Sequence, residues 1–237
     1  MVFNNPFSPE RIDGLLDELW LTADSKILDV GCGQGELILR LLQRFNCEAV
    51  GVDVDGTAVH IAQQKTAPFA PNVTLHTAPF ADISFPANHF DACFSLGTTH
   101  AFGEIGEALD NALASLKAIT KPGGLIILGD GYWRQDPDPA YLQMTGIDKR
   151  ELRSHTENIA AGQKIGLECI YTITASQHEW DHFEGAFWLV AERERLQNPE
   201  DAQIAEKVRR RRIWKNAYWQ WGRDAMGFGL YVFLVEK

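Results

Sequence analysis

The stretch Ile27-Leu28-Asp29-Val30-Gly31-Cys32-Gly33-Gln34-Gly35-Glu36 constrains this chain more than any other. Its companion, a short way downstream, is Ala49-Val50-Gly51-Val52-Asp53. An apolar strand runs into a glycine loop, the loop opens a helix, and a second apolar strand ends in a carboxylate. Glycines let a backbone turn sharply and approach a ligand closely. An Asp at the tip of the neighbouring strand is placed to accept hydrogen bonds from a ribose diol. Together these features build a seat for a nucleoside-bearing ligand.

The glycine spacing narrows the choice of ligand. The dinucleotide fingerprint is G-x-G-x-x-G, with pyrophosphate resting on the helix N-terminus. This chain reads G-x-G-x-G over Gly31, Gly33 and Gly35, and Asp29 stands two residues ahead of the first glycine. A fixed carboxylate there repels a pyrophosphate and suits a cation. S-adenosylmethionine, with an adenosine, a sulfonium, an ammonium and no phosphate, fits better than a nicotinamide dinucleotide. An oxidoreductase reading would require pyrophosphate to tolerate Asp29.

On these motifs the chain resembles the class I S-adenosylmethionine-dependent methyltransferases. The resemblance spans about residues 10–130 in family order: ILDVGCGQG, VGVDVD, VTLHTAPFADISFPANHFDACFSLG and KPGGLIILGD. It implies an α/β fold, Rossmann-like and doubly wound. The implied sheet has seven strands, mostly parallel, with strand seven antiparallel between strands five and six and helices on both faces. It implies S-adenosyl-L-methionine as cofactor and S-adenosyl-L-homocysteine as product. Asp29, Gly31, Cys32, Gly33 and Gly35 would hold the methionine end, Asp53 the ribose hydroxyls, and Val54 would lie beside the adenine. Many relatives carry an Asp just after strand three, where this chain has Pro79. Main-chain groups around Pro79 and Phe80 are then expected to hold the adenine, with Asp82 capping or solvating the loop. The Trp-rich last third, ending WGRDAMGFGLYVFLVEK, is similar to a small group of bacterial methyltransferase-like proteins, which implies no particular substrate.

Strand four ends Phe94-Ser95-Leu96-Gly97-Thr98-Thr99-His100. Strand C-termini in open α/β sheets face the ligand crevice, so Ser95, Leu96 and His100 are expected to point towards the sulfonium and the acceptor. His100 is the candidate general base, because an imidazole titrates near working pH. Asp130, at the end of strand five, competes for that role; the alternatives are a structural histidine and a loop-capping Asp. No metal site is expected. The Asn-Pro-Pro-Tyr type of loop that marks amino-group methylation in the resembled superfamily is absent, and nothing in the sequence selects the acceptor atom or the number of subunits.

At 237 residues and 45% hydrophobic content, the chain can bury one large core. We expect a single domain over residues 1–237, with helical additions at about 131–166 and 178–226. The periodicity predicts a helix over 8–20 capped by Ser8, then strands at 26–30, 49–53, 73–77, 90–95 and 125–128. Helices are predicted at 36–45, through 59–61 and at 105–119, with Lys121-Pro122-Gly123-Gly124 as a stop-and-turn signal. Residues 131–140 read as a loop, followed by a helix at 148–166 opened by Asp148 and Glu151. Strand six is placed at 169–176. A helix opened by Asp181 and Glu184 runs to about 196, and another capped at 198–201 runs towards 221. Strand seven is placed at 229–236.

Net charge is −10, which disfavours non-specific nucleic-acid binding. The basic run at 207–212 spreads around a helix and reads as a solvated face rather than an RNA patch. No signal peptide or span of about 18 apolar residues is present, so membrane association is not expected. Four scattered cysteines without a C-x-x-C pair suit a reducing cytoplasm. The late aromatics, Trp133, Trp180, Trp188, Trp214, Tyr218, Trp219 and Trp221, either roof the pocket or form the core beneath the added helices. The expected function is methyl transfer to a small-molecule acceptor; the alternatives are methylation of tRNA or protein, or a non-catalytic cofactor-binding protein of the same fold.

Overall fold

Parallel pairing of apolar runs builds the first half of a sheet from β1 (Lys26–Val30), β2 (Glu48–Asp53), β3 (Val73–Thr77) and β4 (Phe90–Leu96). The second half comprises β5 (Thr120–Trp133), β6 (Arg153–Ser154), β7 (Leu167–Thr174) and β8 (Met226–Val235). The computed structural model describes residues 2–236. Strand order is β3-β2-β1-β4-β5-β8-β7, with β8 antiparallel to both its neighbours and β6 paired to the far end of β5. The expected seven-strand pattern is present, and β6 is the addition. Register sets Asp29 beside Gly51 and Phe94, so the C-terminal tips of β1, β2 and β4 lie together at one edge, where open α/β sheets bind ligands.

Helices cover both faces. On one, Leu16 of α1 (Pro9–Glu18) and Ile38 and Leu41 of α2 (Glu36–Phe45) pack with Ile27, Phe94 and Ile127. α3 (Gly56–Thr66) follows β2 and is capped by the Asp55 side chain. On the other face, Leu113 and Leu116 of α4 (Ala108–Ile119) pack with Leu28, Ile126 and Phe233. Side chains alternate along the central strands β1, β4, β5 and β8 between these two cores, which is why those strands read as apolar runs.

Several boundaries differ from expectation, each for a tertiary reason. The Lys121–Gly124 signal does not end the ladder: Phe90 pairs with Thr120 and Ala92 with Leu125, so the turn is absorbed as an irregularity within β5. Beyond Leu128, β5 continues to Trp133 because β8 pairs with it throughout. The supposed loop at 131–140 also contains the start of α5 (Pro139–Thr145), capped by Asp138. The helix expected at 148–166 is split. Asp148 and Glu151 do form a capping box, but it opens a single turn, after which Arg153 and Ser154 extend to pair with β5. Ser154 and Glu157 then cap α6 (His155–Lys164).

The late helices α7 (Gln177–Gln197) and α8 (Ala202–Ala217) connect β7 to β8, as the expected insertion does. Ser176 and Glu179 cap α7, not Asp181 and Glu184. Asp181 instead accepts from Arg223 and the Tyr218 hydroxyl, and buried Glu184 accepts from Trp214 Nε1 at 2.9 Å. Trp180 and Tyr218 belong to the main core with Phe228 and Leu230, so the aromatics act chiefly as packing, with Trp219 exposed. The basic run is largely paired: Lys207 with Glu194, Arg209 and Arg210 with Glu206, and Arg212 with Glu192, while Arg211 lies over the Phe187 ring. Removing the cap in Ser176→Ala should cost about 1 kcal/mol, read as a lower urea midpoint with unchanged m-value; unchanged stability would place the start of α7 elsewhere.

Candidate cofactor and active site

The glycine loop is held by main-chain bonds before any ligand is considered. Val52 O accepts from Gly31 N at 2.7 Å and Cys32 N at 3.1 Å, and Cys32 O accepts from Gly35 N at 2.9 Å. Gly31, Gly33 and Gly35 all have positive φ, 76°, 50° and 72°, a region that disfavours side chains. A Cβ on Gly31 would also lie 2.7 Å from Thr98 Oγ1. Thr98 is itself fixed, its hydroxyl donating to Val30 O at 2.8 Å. That commits its proton, so Ser95 Oγ donates to Thr98 Oγ1 at 2.8 Å.

Two carboxylates face the resulting cleft. Asp53 Oδ2 accepts from Gly33 N at 2.8 Å and Oδ1 from Asp55 N at 2.9 Å, so its orientation is set. Asp29 is 3% exposed and, among the described residues, makes no hydrogen bond through its side chain. Burial, and secondarily the charge on Asp53, raises its pKa to about 7. A buried acceptor without a donor is costly unless a ligand supplies one. Cys32 also faces the cleft; burial first, then Asp29 and Asp53, pushes its thiol well above the ordinary range, so it carries no thiolate.

The cavity measures about 500 Å³. It brings together Asp29, Gly31, Cys32, Gly33, Asp53, Leu96 and His100 of the expected residues. His100 reaches it from the turn Thr99–Phe102 and is exposed. The other expected residues lie outside its lining. Ser95 is fully buried and spends its hydroxyl on Thr98. Gly35 instead packs closely on Ala62 of α3. Val54 is 69% exposed beside Asp53. Pro79 is exposed, and the Phe80 ring packs against Phe102, centroids 4.9 Å apart. Asp130 accepts from Thr99 Oγ1 at 3.1 Å and Gly131 N at 2.9 Å and faces a separate small enclosure with Arg153 and Asn158. Burial raises its pKa to about 6 against those two donors.

The sequence reading missed residues 2–5, which roof the cavity at Val2, Phe3, Asn4 and Asn5. They carry no periodic pattern that could have placed them there. It also missed Thr98, whose fixed side chain makes Gly31 obligatory.

Residues 27–124 match the family described as a methyltransferase domain. The uncharacterized Escherichia coli protein YjhP is 25% identical over 236 residues, covering 98% of this chain and 94% of that one. Its crystal structure superposes with a TM-score of 0.85 over 99% of this chain and 95% of YjhP. An S-adenosylmethionine-dependent methyltransferase from Thiobacillus denitrificans, solved with S-adenosyl-L-homocysteine, is 25% identical with a TM-score of 0.84. It matches over 99% of this chain and 94% of its own. Phosphoethanolamine N-methyltransferase 1 of Arabidopsis thaliana is 23% identical over 62% of this chain, which spans only 30% of that longer protein.

On the expectation that Asp29 meets a ligand ammonium, it has to be ionised first. Affinity for S-adenosyl-L-homocysteine should therefore rise with pH towards about 7 and level off above it, the slope below approaching tenfold per unit. Calorimetry from about pH 5.5 to 8.5 checks this; a flat profile, or one unchanged in Asp29→Asn, would contradict it.

Proposed function

This chain belongs to the class I S-adenosylmethionine-dependent methyltransferases, and we propose that it methylates a small-molecule acceptor at the tips of β1, β2 and β4. The observation that carries this reading is the buried Asp29 carboxylate, without a side-chain hydrogen bond among the described residues, in the same cavity as the fixed Asp53. A cation there gains a charge partner that a pyrophosphate would oppose. In this proposal Asp29 and the backbone of Gly31 and Gly33 hold the methionine end, beside Cys32. Asp53 holds the ribose hydroxyls with its oxygens already oriented. Val54, exposed beside it, offers apolar surface to the adenine, with the main chain near Pro79 and Phe80 at its edge.

When bound, S-adenosylmethionine supplies a sulfonium methyl: the acceptor lone pair bonds the carbon, the sulfur keeps the old bond pair, and the acceptor sheds a proton. The chain's own contribution is orientation, which can supply much of the rate. His100, at the mouth and open to solvent, is the candidate to take the proton. Asp130 is reassigned: its carboxyl, turned away from the cavity, anchors Thr99 and so steadies the turn that carries His100.

A small acceptor is preferred to tRNA or protein because the net charge is −10 and four of the α8 basic residues, Lys207, Arg209, Arg210 and Arg212, are paired with Glu194, Glu206 and Glu192. Phosphoethanolamine N-methyltransferases, by their names, also act on a small molecule. We read the whole chain as one catalytic domain. A reducing, cytoplasmic setting accords with four free cysteines. Among the described residues no helix is long and apolar enough to cross a membrane.

Asp53→Ala should weaken S-adenosyl-L-homocysteine binding by about 1–3 kcal/mol, the scale of charge-assisted hydrogen bonds; unchanged calorimetric affinity would refute the ribose role. A metabolite extract incubated with methyl-labelled cofactor identifies the acceptor. With that acceptor, His100→Gln should lower turnover about 10²-fold or more while sparing cofactor affinity; retained turnover would remove His100 as base.

A further inference from the structure

A second cavity adjoins the first. It measures about 400 Å³ and lies between the segment leading into α1 and the start of α7. Both cavities are lined by Val2, Phe3 and Asn5, so the two meet at these residues. The segment is fastened beside that junction. Ser8 N donates to Glu179 Oε1 at 3.2 Å, and Phe7 packs edge-on against Phe228, centroids 6.0 Å apart. Asn4 O approaches Gly97, at the tip of β4.

Resting on the methyl-transfer reading above, we propose that this second cavity receives the methyl acceptor, and that the acceptor is a small uncharged molecule, largely apolar, with one oxygen that accepts a hydrogen bond from Asn5. Three observations select that class. The walls are mainly Phe3, Pro6, Phe7, Pro9 and Phe183, and the volume matches a one- or two-ring compound. Among the described residues no lysine or arginine lines the cavity, whereas Glu10 and Glu179 do. The Glu10 and Glu179 carboxylates would repel a phosphate or carboxylate. Asn5 supplies the polar handle. It is 5% exposed, and its Oδ1 accepts from Phe7 N at 3.1 Å. That bond identifies which amide atom is the oxygen and leaves Nδ2, which has no partner among the described residues, a free donor where the two cavities meet. His178 and His182, one helical turn apart on α7, stand at the rim.

The test uses protein saturated with S-adenosyl-L-homocysteine and three probes of one shape: p-cresol, p-xylene and p-cresyl phosphate. Calorimetry or ligand-observed NMR should show p-cresol binding tightest. The hydrocarbon should bind more weakly and the phosphate about tenfold more weakly or worse. Filling the cavity by Phe183→Trp, or from its rim by His182→Trp, should weaken p-cresol binding about tenfold while affinity for S-adenosyl-L-homocysteine stays within about twofold. Preference for the phosphate, absence of p-cresol binding, or p-cresol affinity unmoved by both substitutions would overturn the assignment. Failure of S-adenosyl-L-homocysteine itself to bind would overturn the methyl-transfer reading instead.

Discussion

The hydrogen bond from the Gly33 N–H to Asp53 Oδ2 (2.8 Å) joins the glycine loop to the tip of the neighbouring strand, and the site is built outward from it. Val52 O, one residue earlier on β2, accepts from Gly31 and Cys32, so three consecutive loop residues are tied to one strand end. Thr98, after β4, closes the other side by donating to Val30 O. Three strand tips are thereby locked by short-range polar bonds on a sheet whose apolar runs are buried on both faces. Preorganisation of this kind lets a ligand bind without first ordering the loop.

What the lock omits is as informative as what it includes. The Asp29 side chain, buried and facing the cavity, has no hydrogen bond among the described residues. Its raised pKa and its proximity to Asp53 have one physical origin: two carboxylates at the same low-dielectric edge. A cation relieves both the desolvation and the repulsion, whereas an anionic ligand worsens both. The second cavity repeats this exclusion of anions, with Glu10 and Glu179 at its walls.

β1, β2 and β4 were legible because each is a short apolar run, and parallel strands buried on both faces advertise themselves that way; edge strand β3, covered on one face, was legible from the alternation of Val73 and Leu75. β1, β3 and α2 lie where the pattern placed them. The late region was less legible because its boundaries depend on distant partners. β5 runs past Asp130 only because residues 226–229 of β8 pair with it. Two patterns compete to open α7, Ser176-x-x-Glu179 and Asp181-x-x-Glu184, and they look equivalent locally. The choice falls to Ser176 because Arg223, Tyr218 and Trp214 engage Asp181 and Glu184. Strand ends and glycine spacing placed Asp29, Gly33, Asp53 and His100 where they do line one cavity. Ser95 and Asp130 lie outside its lining, since strand alternation does not say which neighbour a hydroxyl or carboxyl will meet. The roof at residues 2–5 left no sequence signal, being irregular chain laid across the tip of β4.

The account stands on the guest being a nucleoside that carries positive charge and no phosphate. Side-by-side calorimetric titration of the purified protein with S-adenosyl-L-methionine and with NAD tests this most directly. One saturable site for the first and no heat of binding for the second is the predicted result. Binding of the dinucleotide, with none of the sulfonium compound, would contradict it.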